Sequence, residues 1–107
     1  VSDKLVSLLI SMISENKDLK PVIDDLLDAD GSEIYFKPIT DYVIPGKNHN
    51  FYQISAAASD RGQVAFGYRI MTQSNNPEKA YGIVMNPKKS NAIVFNEEDM
   101  LIVLAED

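Results

Sequence analysis

Gly31-Ser32-Glu33-Ile34-Tyr35-Phe36-Lys37-Pro38 decides how this chain is read. Gly31 takes a left-handed conformation at little steric cost, so it closes a preceding helix and releases the chain into an extended run. Ile34 and Phe36 then fall on one face of a strand, Tyr35 and Lys37 on the other. Pro38 has no amide hydrogen to give a ladder, so the strand ends there or lies at a sheet edge.

Upstream of Gly31 the apolar residues recur at helical spacing. Leu5, Leu8, Leu9, Met12 and Ile13 form one stripe, with Ser2 or Asp3 placed to cap it. Glu15-Asn16-Lys17 interrupts the pattern. A second stripe follows in Leu19, Val22, Ile23, Leu26 and Leu27, with Asp18 as N-cap and Pro21 in the first turn. Stripes this apolar on short helices must be buried, either in the domain's own core or against another subunit. Leu5, Leu8, Leu9, Met12, Leu19, Val22, Ile23 and Leu26 are therefore candidate dimer contacts.

Downstream, Tyr42-Val43-Ile44-Pro45-Gly46 reads as a short extended piece ending in a Pro-Gly turn. Asn50 and Gln53 have capping-box spacing, so a helix begins there, burying Phe51, Ile54 and Ala58 and stopping at Arg61-Gly62. Val64, Phe66, Tyr68 and Ile70 alternate with smaller or polar residues, which predicts a strand with one heavy face. Residues 72–79 form a polar loop, Tyr81–Met85 a strand and residues 86–91 a basic turn. Ile93–Phe95 reads as a short strand, and Met100–Ala105 as the last. The fold class is α+β: two N-terminal amphipathic helices, then a small mixed or antiparallel sheet with one short packed helix. Residues 1–30 are the helical pair and residues 31–107 the α+β module, one compact domain in all.

A chain of 107 residues holds one core. It has no cysteine, which excludes disulfides, thiolate nucleophiles and cysteine-ligated zinc. No apolar run approaches the length of a membrane span and no signal-peptide pattern opens the chain. Val1 at the start points to a piece of a longer protein. The net charge of −6 argues against a nucleic-acid partner, because neutralising phosphates takes a basic footprint. The imbalance is local: residues 1–33 carry eight acids and three lysines, residues 34–107 eight acids and seven bases.

The acids near Gly31 suggest a cation. Asp28, Asp30 and Glu33 offer hard oxygen ligands beside a glycine turn, as calcium prefers. A complete EF-hand loop fails the spacing: with Gly31 as its glycine, Leu26 falls at the first ligand position and Lys37 at the bidentate glutamate. The three carboxylates are thus either part of a calcium site completed elsewhere or a plain acidic helix exit. Arg61 and Arg69 are candidate ligands for an anion or nucleotide, or else surface pairs. His49 in its polar run reads as a solvated loop residue, and one histidine without cysteine cannot make a zinc site. Glu97-Glu98-Asp99 reads as a solvated turn that keeps the sheet edge polar. No nucleophile elbow, Walker loop or dinucleotide fingerprint occurs, so no constellation is specific enough for catalysis, and an enzyme using the Asp28–Glu33 acidic cluster is the weaker alternative.

Three stretches of the chain resemble one family. Asp28–Val43, the run Arg61-Gly62-Gln63-Val64-Ala65-Phe66-Gly67-Tyr68-Arg69, and Tyr81 to the end are similar to the cytoplasmic part of the Castor/Pollux cation channels. The resemblance implies a regulator-of-potassium-conductance C-terminal-like module on the cytoplasmic face of a membrane protein. It implies as partners a Rossmann-like half and pore of the same protein, and self-association into a homodimer or larger gating assembly. Such a module senses a ligand and couples it to gating of a potassium-type or calcium-regulated pore. A freestanding small-molecule sensor or a transporter-associated subunit of the same fold is the alternative. Glu98-Asp99 stands where such modules usually have Gly-Asp before the final strand.

Overall fold

Met100-Leu101-Ile102-Val103-Leu104-Ala105 is an unbroken apolar run, the pattern of a strand with no wet face. A computed structural model describes residues 33–106 continuously, together with residues 7–9, 11, 12, 15 and 21. In it this run is the central strand, with Leu101 to Ala105 all buried. The sheet comprises β1 (Glu33–Pro38), β3 (Val64–Arg69), β4 (Ile83–Met85) and β6 (Met100–Ala105) in the order β1-β6-β3-β4. All its pairings are antiparallel. β2 (Asn48–His49) and β5 (Ile93–Val94) form a separate two-stranded antiparallel ribbon. The helix α1 (Phe51–Asp60) lies between β2 and β3 in the chain. The expected α+β class with a small antiparallel sheet and one packed helix is what forms.

Alternation along β6 divides the core. Leu101 and Val103 point to the α1 side, where they meet Ile39, Val43, Phe51, Ile54, Ala58 and Phe95. Ile102 and Leu104 point to the other side, against Leu9, Phe66 and Ile83. β1 follows the same pleat: Tyr35 packs on the α1 side, Ile34 and Phe36 on the opposite one. Pro38 is the last residue of this edge strand, as its missing donor requires.

β3 departs from the expected alternation. Ala65 pairs with Val103 and Gly67 with Ile102, which leaves Phe66 as the extra residue of a bulge. Ala65 and Tyr68 therefore share the α1 face, while Phe66 faces the opposite cluster. The heavy face read from Val64, Phe66, Tyr68 and Ile70 does not exist, because one inserted residue turns the later side chains to the other side. Val64 is 40% exposed.

The α1 start is as the sequence predicts. Asn50 Oδ1 accepts from the Gln53 amide at 3.0 Å, and the Gln53 side chain accepts from the Asn50 amide at 3.0 Å. Other elements differ. After Pro38 comes a 3-10 turn, Ile39–Asp41, and residues 42–46, expected as a short extended piece, are mostly turn and bend instead. Ile93–Val94 pairs with Asn48–His49 and not with the main sheet, so His49 is a half-buried strand residue. Tyr81 precedes its strand, which starts at Ile83.

Among the residues assigned to the N-terminal stripes, Leu8, Leu9 and Met12 are helical and described. Leu9 is completely buried inside the chain against the sheet, with Leu8 and Met12 half-buried beside it. Leu9 thus has no surface to offer a second subunit, which corrects its reading as a dimer contact. Leu5, Leu19, Val22, Ile23 and Leu26, and with them the proposed helical pair as a whole, lie outside the described residues.

The two-faced burial of β6 has a measurable consequence. Ile102→Ala should lower the unfolding free energy by about 2–5 kcal/mol in chemical denaturation. Val94→Ala, on a side chain 55% exposed, should stay within roughly 0.5 kcal/mol. Equal losses at the two positions would be incompatible with β6 as the buried centre.

Candidate functional site

Strand β3 ends in a loop that is clamped at its base. Arg69, the last strand residue, donates from Nε to the Tyr81 carbonyl at 3.0 Å and from a terminal nitrogen to the Ser74 carbonyl at 3.3 Å. The Ile70 amide donates to the Gly82 carbonyl at 2.8 Å. The next amide, Met71, donates to Asp99 Oδ1 at 3.0 Å. Between these ties run a 3-10 turn, Met71–Gln73, and the segment Pro77–Gly82, which leaves helical geometry at Lys79–Tyr81, with residues 72, 73 and 75–79 exposed.

The loop returns to β4 through three consecutive residues of positive φ: Ala80 at 51°, Tyr81 at 57° and Gly82 at 82°. Left-handed alanine and tyrosine are costly, of order 1 kcal/mol or more each, and persist only where surrounding bonds hold them. Here the Tyr81 amide donates to the Asn76 carbonyl while its own carbonyl accepts from Arg69. Arg69 is thus a brace for a strained return. Its guanidinium matches two backbone carbonyls where the sequence suggested an anion.

Asp99 anchors the other side of the clamp. It is 1% exposed, yet a carboxylate is tolerated there because its oxygens are engaged. Oδ1 takes the Met71 amide and Oδ2 the Asn96 amide at 2.9 Å, while its own carbonyl accepts from the Ile39 amide at 3.0 Å. One residue therefore ties the end of β1, the start of β6 and the exit of β3. The solvated turn expected of Glu97-Glu98-Asp99 holds for Glu97 and Glu98, which are exposed, but not for Asp99.

Arg61 stands at the other end of β3. It donates to the Asp41 carbonyl at 3.0 Å and its guanidinium lies 5.2 Å from the Tyr42 ring centre. The two arginines are held apart by the strand itself and do not converge on one ligand. Tyr42 donates its hydroxyl to Gln63 Oε1 at 2.6 Å. Burial pushes its pKa upward, with Arg61 opposing and Asp41 adding to the rise. Tyr68, packed edge-on against Phe95 with ring centres 5.2 Å apart, is also pushed upward by burial. Of the calcium candidates, Glu33 is exposed and accepts from the Tyr35 hydroxyl at 2.9 Å. Asp28 and Asp30 lie outside the described residues. Among the described residues no three His, Cys, Asp or Glu side chains gather as a metal site would need.

The site so assembled consists of a sheet edge, a braced loop and two polar anchors, Arg69 and Asp99, whose hydrogen bonds position backbone. Comparison with known proteins places the chain among the relatives of ion channels. It is 26% identical to the ion channel CASTOR of Lotus japonicus over 106 residues, which is 99% of this chain and 12% of that protein. It is 30% identical to the ion channel DMI1 of Medicago truncatula and 29% identical to the ion channel POLLUX of Lotus japonicus, in each case over 98% of this chain and 11% of the relative. The chain is thus homologous to one segment of the Castor/Pollux channels, as its sequence motifs indicate, and spans about a ninth of their length. These relatives are named as channels and not as enzymes. No protein-family model matches the chain. Among the described residues no helix is long and apolar enough to cross a membrane.

This geometry has two measurable consequences. A Cβ at Gly82 would collide with the Ile70 carbonyl, whereas one at Gly46, of nearly equal φ at 84°, meets nothing within 4 Å. Gly46→Ala should therefore cost about 1 kcal/mol of conformational strain and Gly82→Ala at least twice that, read by urea unfolding. Equal costs would contradict a close-packed clamp at Gly82. The raised tyrosines set an alkaline limit. Their neutral forms are favoured by folding, so their contribution is full below the ordinary value of 10.0 and is lost as pH rises through the higher folded value. Thermal midpoints should fall above that pH, and less steeply in Tyr68→Phe; an unchanged slope in that variant would contradict the assignment.

Proposed function

We propose that this chain is a regulatory and assembly module of a cation channel, coupling ligand binding or subunit rearrangement to opening of the pore. The observation that supports this reading is the extent of the similarity: nearly the whole chain aligns with a segment of proteins named as ion channels. In the proposal it sits on the cytoplasmic face and works beside a Rossmann-like half of the same protein. In the proposal the ligand or partner meets the loop at residues 71–82, whose base is tied while residues 72, 73 and 75–79 are exposed. A ligand shifts such a module only by binding one arrangement more tightly than another.

Calcium is the ligand proposed for the acids Asp28, Asp30 and Glu33, and Leu5, Leu8, Met12, Leu19, Val22, Ile23 and Leu26 are the proposed subunit contact. Calcium at ~100 times its dissociation constant adds about 2.7 kcal/mol to the folded state, which raises the melting midpoint by roughly 10 °C or more in a domain of this size. The decisive experiment compares single-channel records of the parent channel with and without residues 33–106. The proposal expects conduction to survive and calcium-dependent open probability to be lost. An unchanged open probability, with no thermal shift of the chain in calcium, would refute the regulatory reading.

A further inference from the structure

Three long stretches of this acidic chain contain no aspartate or glutamate: residues 42–59, 61–77 and 79–96. The first and third have Lys47, His49, Lys79, Lys88 and Lys89 as their basic residues and no arginine, while the middle one holds Arg61 and Arg69. The fold lays the first and third segments side by side. Asn48 pairs with Val94 and His49 with Ile93 in the β2–β5 ribbon. The Gly46 amide donates to the Phe95 carbonyl at 3.0 Å, and the Phe51 amide to the Lys89 carbonyl at 3.1 Å. Lys89 Nζ lies 6.0 Å from the ring centre of Tyr52.

The same surface collects exposed apolar groups. Of the four large hydrophobic side chains exposed among the described residues, three lie on these two segments, Ile44 at 57%, Tyr52 at 62% and Val94 at 55%; the fourth, Val64, does not. Lys47, Lys88 and Lys89 beside them are exposed as well. Asp41, Asp60, Glu78 and Glu97, the nearest acids along the chain, fall just outside both segments.

We propose that this face, with Ile44, Tyr52 and Val94 ringed by Lys47, Lys88 and Lys89, docks on an anionic bilayer surface. Charge complementarity calls for a negative partner, and composition chooses between kinds of negative partner. Protein interfaces favour arginine and are depleted in lysine. Lysines set around a tyrosine and short aliphatic side chains instead suit the headgroup layer, where ammonium groups meet lipid phosphates and the apolar tips enter the acyl boundary. The contact is superficial and spans nothing. It depends on the channel reading only to bring a bilayer within reach, since the chemistry of the face is independent of gating.

The test is co-sedimentation of the 107-residue chain with vesicles of phosphatidylcholine alone or phosphatidylcholine with phosphatidylserine, and capture on immobilised poly-glutamate. The chain should sediment with the anionic vesicles, not the neutral ones, and less so as salt rises. Lys88→Glu with Lys89→Glu should lower partitioning at least tenfold, from roughly fivefold for each lysine lost. Ile44→Asp with Val94→Asp should also weaken it, with circular dichroism and thermal melting showing the fold kept. Lys37→Glu, outside both segments, should change little. The proposal is overturned by no binding to anionic vesicles, by equal binding to neutral ones, by indifference to the lysine reversals, or by capture on poly-glutamate without vesicle binding. Loss of this binding and loss of calcium-dependent gating are separate readouts, so either proposal can fail alone.

Discussion

Strand β6 is hydrogen-bonded along both edges and covered on both faces, and the rest of the fold is arranged to allow that. Each large apolar side chain fully withdrawn from water contributes about 1.5–3 kcal/mol, so Leu101 to Leu104 form the largest local source of stability. The same burial imposes a condition. A strand with apolar groups on both sides has no wet face, so the polar work of the fold must be done at its ends. Asp99 meets this condition at the start of the strand. Its buried carboxylate satisfies two amides that leave β3 and β6 at their polar ends, and its backbone receives the exit of β1. Removal of such an acceptor would leave buried donors unpaired, at about 1–3 kcal/mol apiece.

Much of this was legible in the sequence, and the misses have a common cause. Asn50 and Gln53 announce the helix because both halves of a capping box are local to four residues. Glu33–Pro38 and Met100–Ala105 read correctly as strands because alternation or an unbroken apolar run is a property of one segment. The bulge at Phe66 is different. It is set by which residue of β6 faces which residue of β3, and no periodicity within Val64–Ile70 carries that information. The pairing of Asn48–His49 with Ile93–Val94 is likewise invisible, since two-residue strands have no pattern. The family resemblance rested on motifs and survived these local errors.

The site shows the same division. Arg61 and Arg69 were identifiable as residues with a task, because a guanidinium on a mostly buried strand or helix end rarely stands idle. Their partners are backbone carbonyls supplied by distant loops, so the task itself, bracing, could not be read from the residues. Asp99 was the larger miss. It follows two glutamates that are solvated, and the acidic run hid one member that is not. The signal was present in its position: a short acceptor side chain directly before a six-residue apolar strand has backbone amides close by to satisfy.

Charge is partitioned along the chain in a way that fits a part working between surfaces. The acids crowd into residues 1–33, whereas residues 42–59 and 79–96 are free of them and fold into one face. An even scatter of the same charges would keep the chain equally soluble, so solubility does not require the separation. A separated pattern leaves the face built on the β2–β5 ribbon with lysines and exposed apolar groups, drawn from segments that hold no acid. The core behind that face is tied together by β6 and Asp99, so a displacement forced on the face is not absorbed by loose packing. In the proposed regulatory role, a load on that face would move the described fold as one body, and it would bias a two-state pore only to the extent that the two states differ in how well the face is engaged.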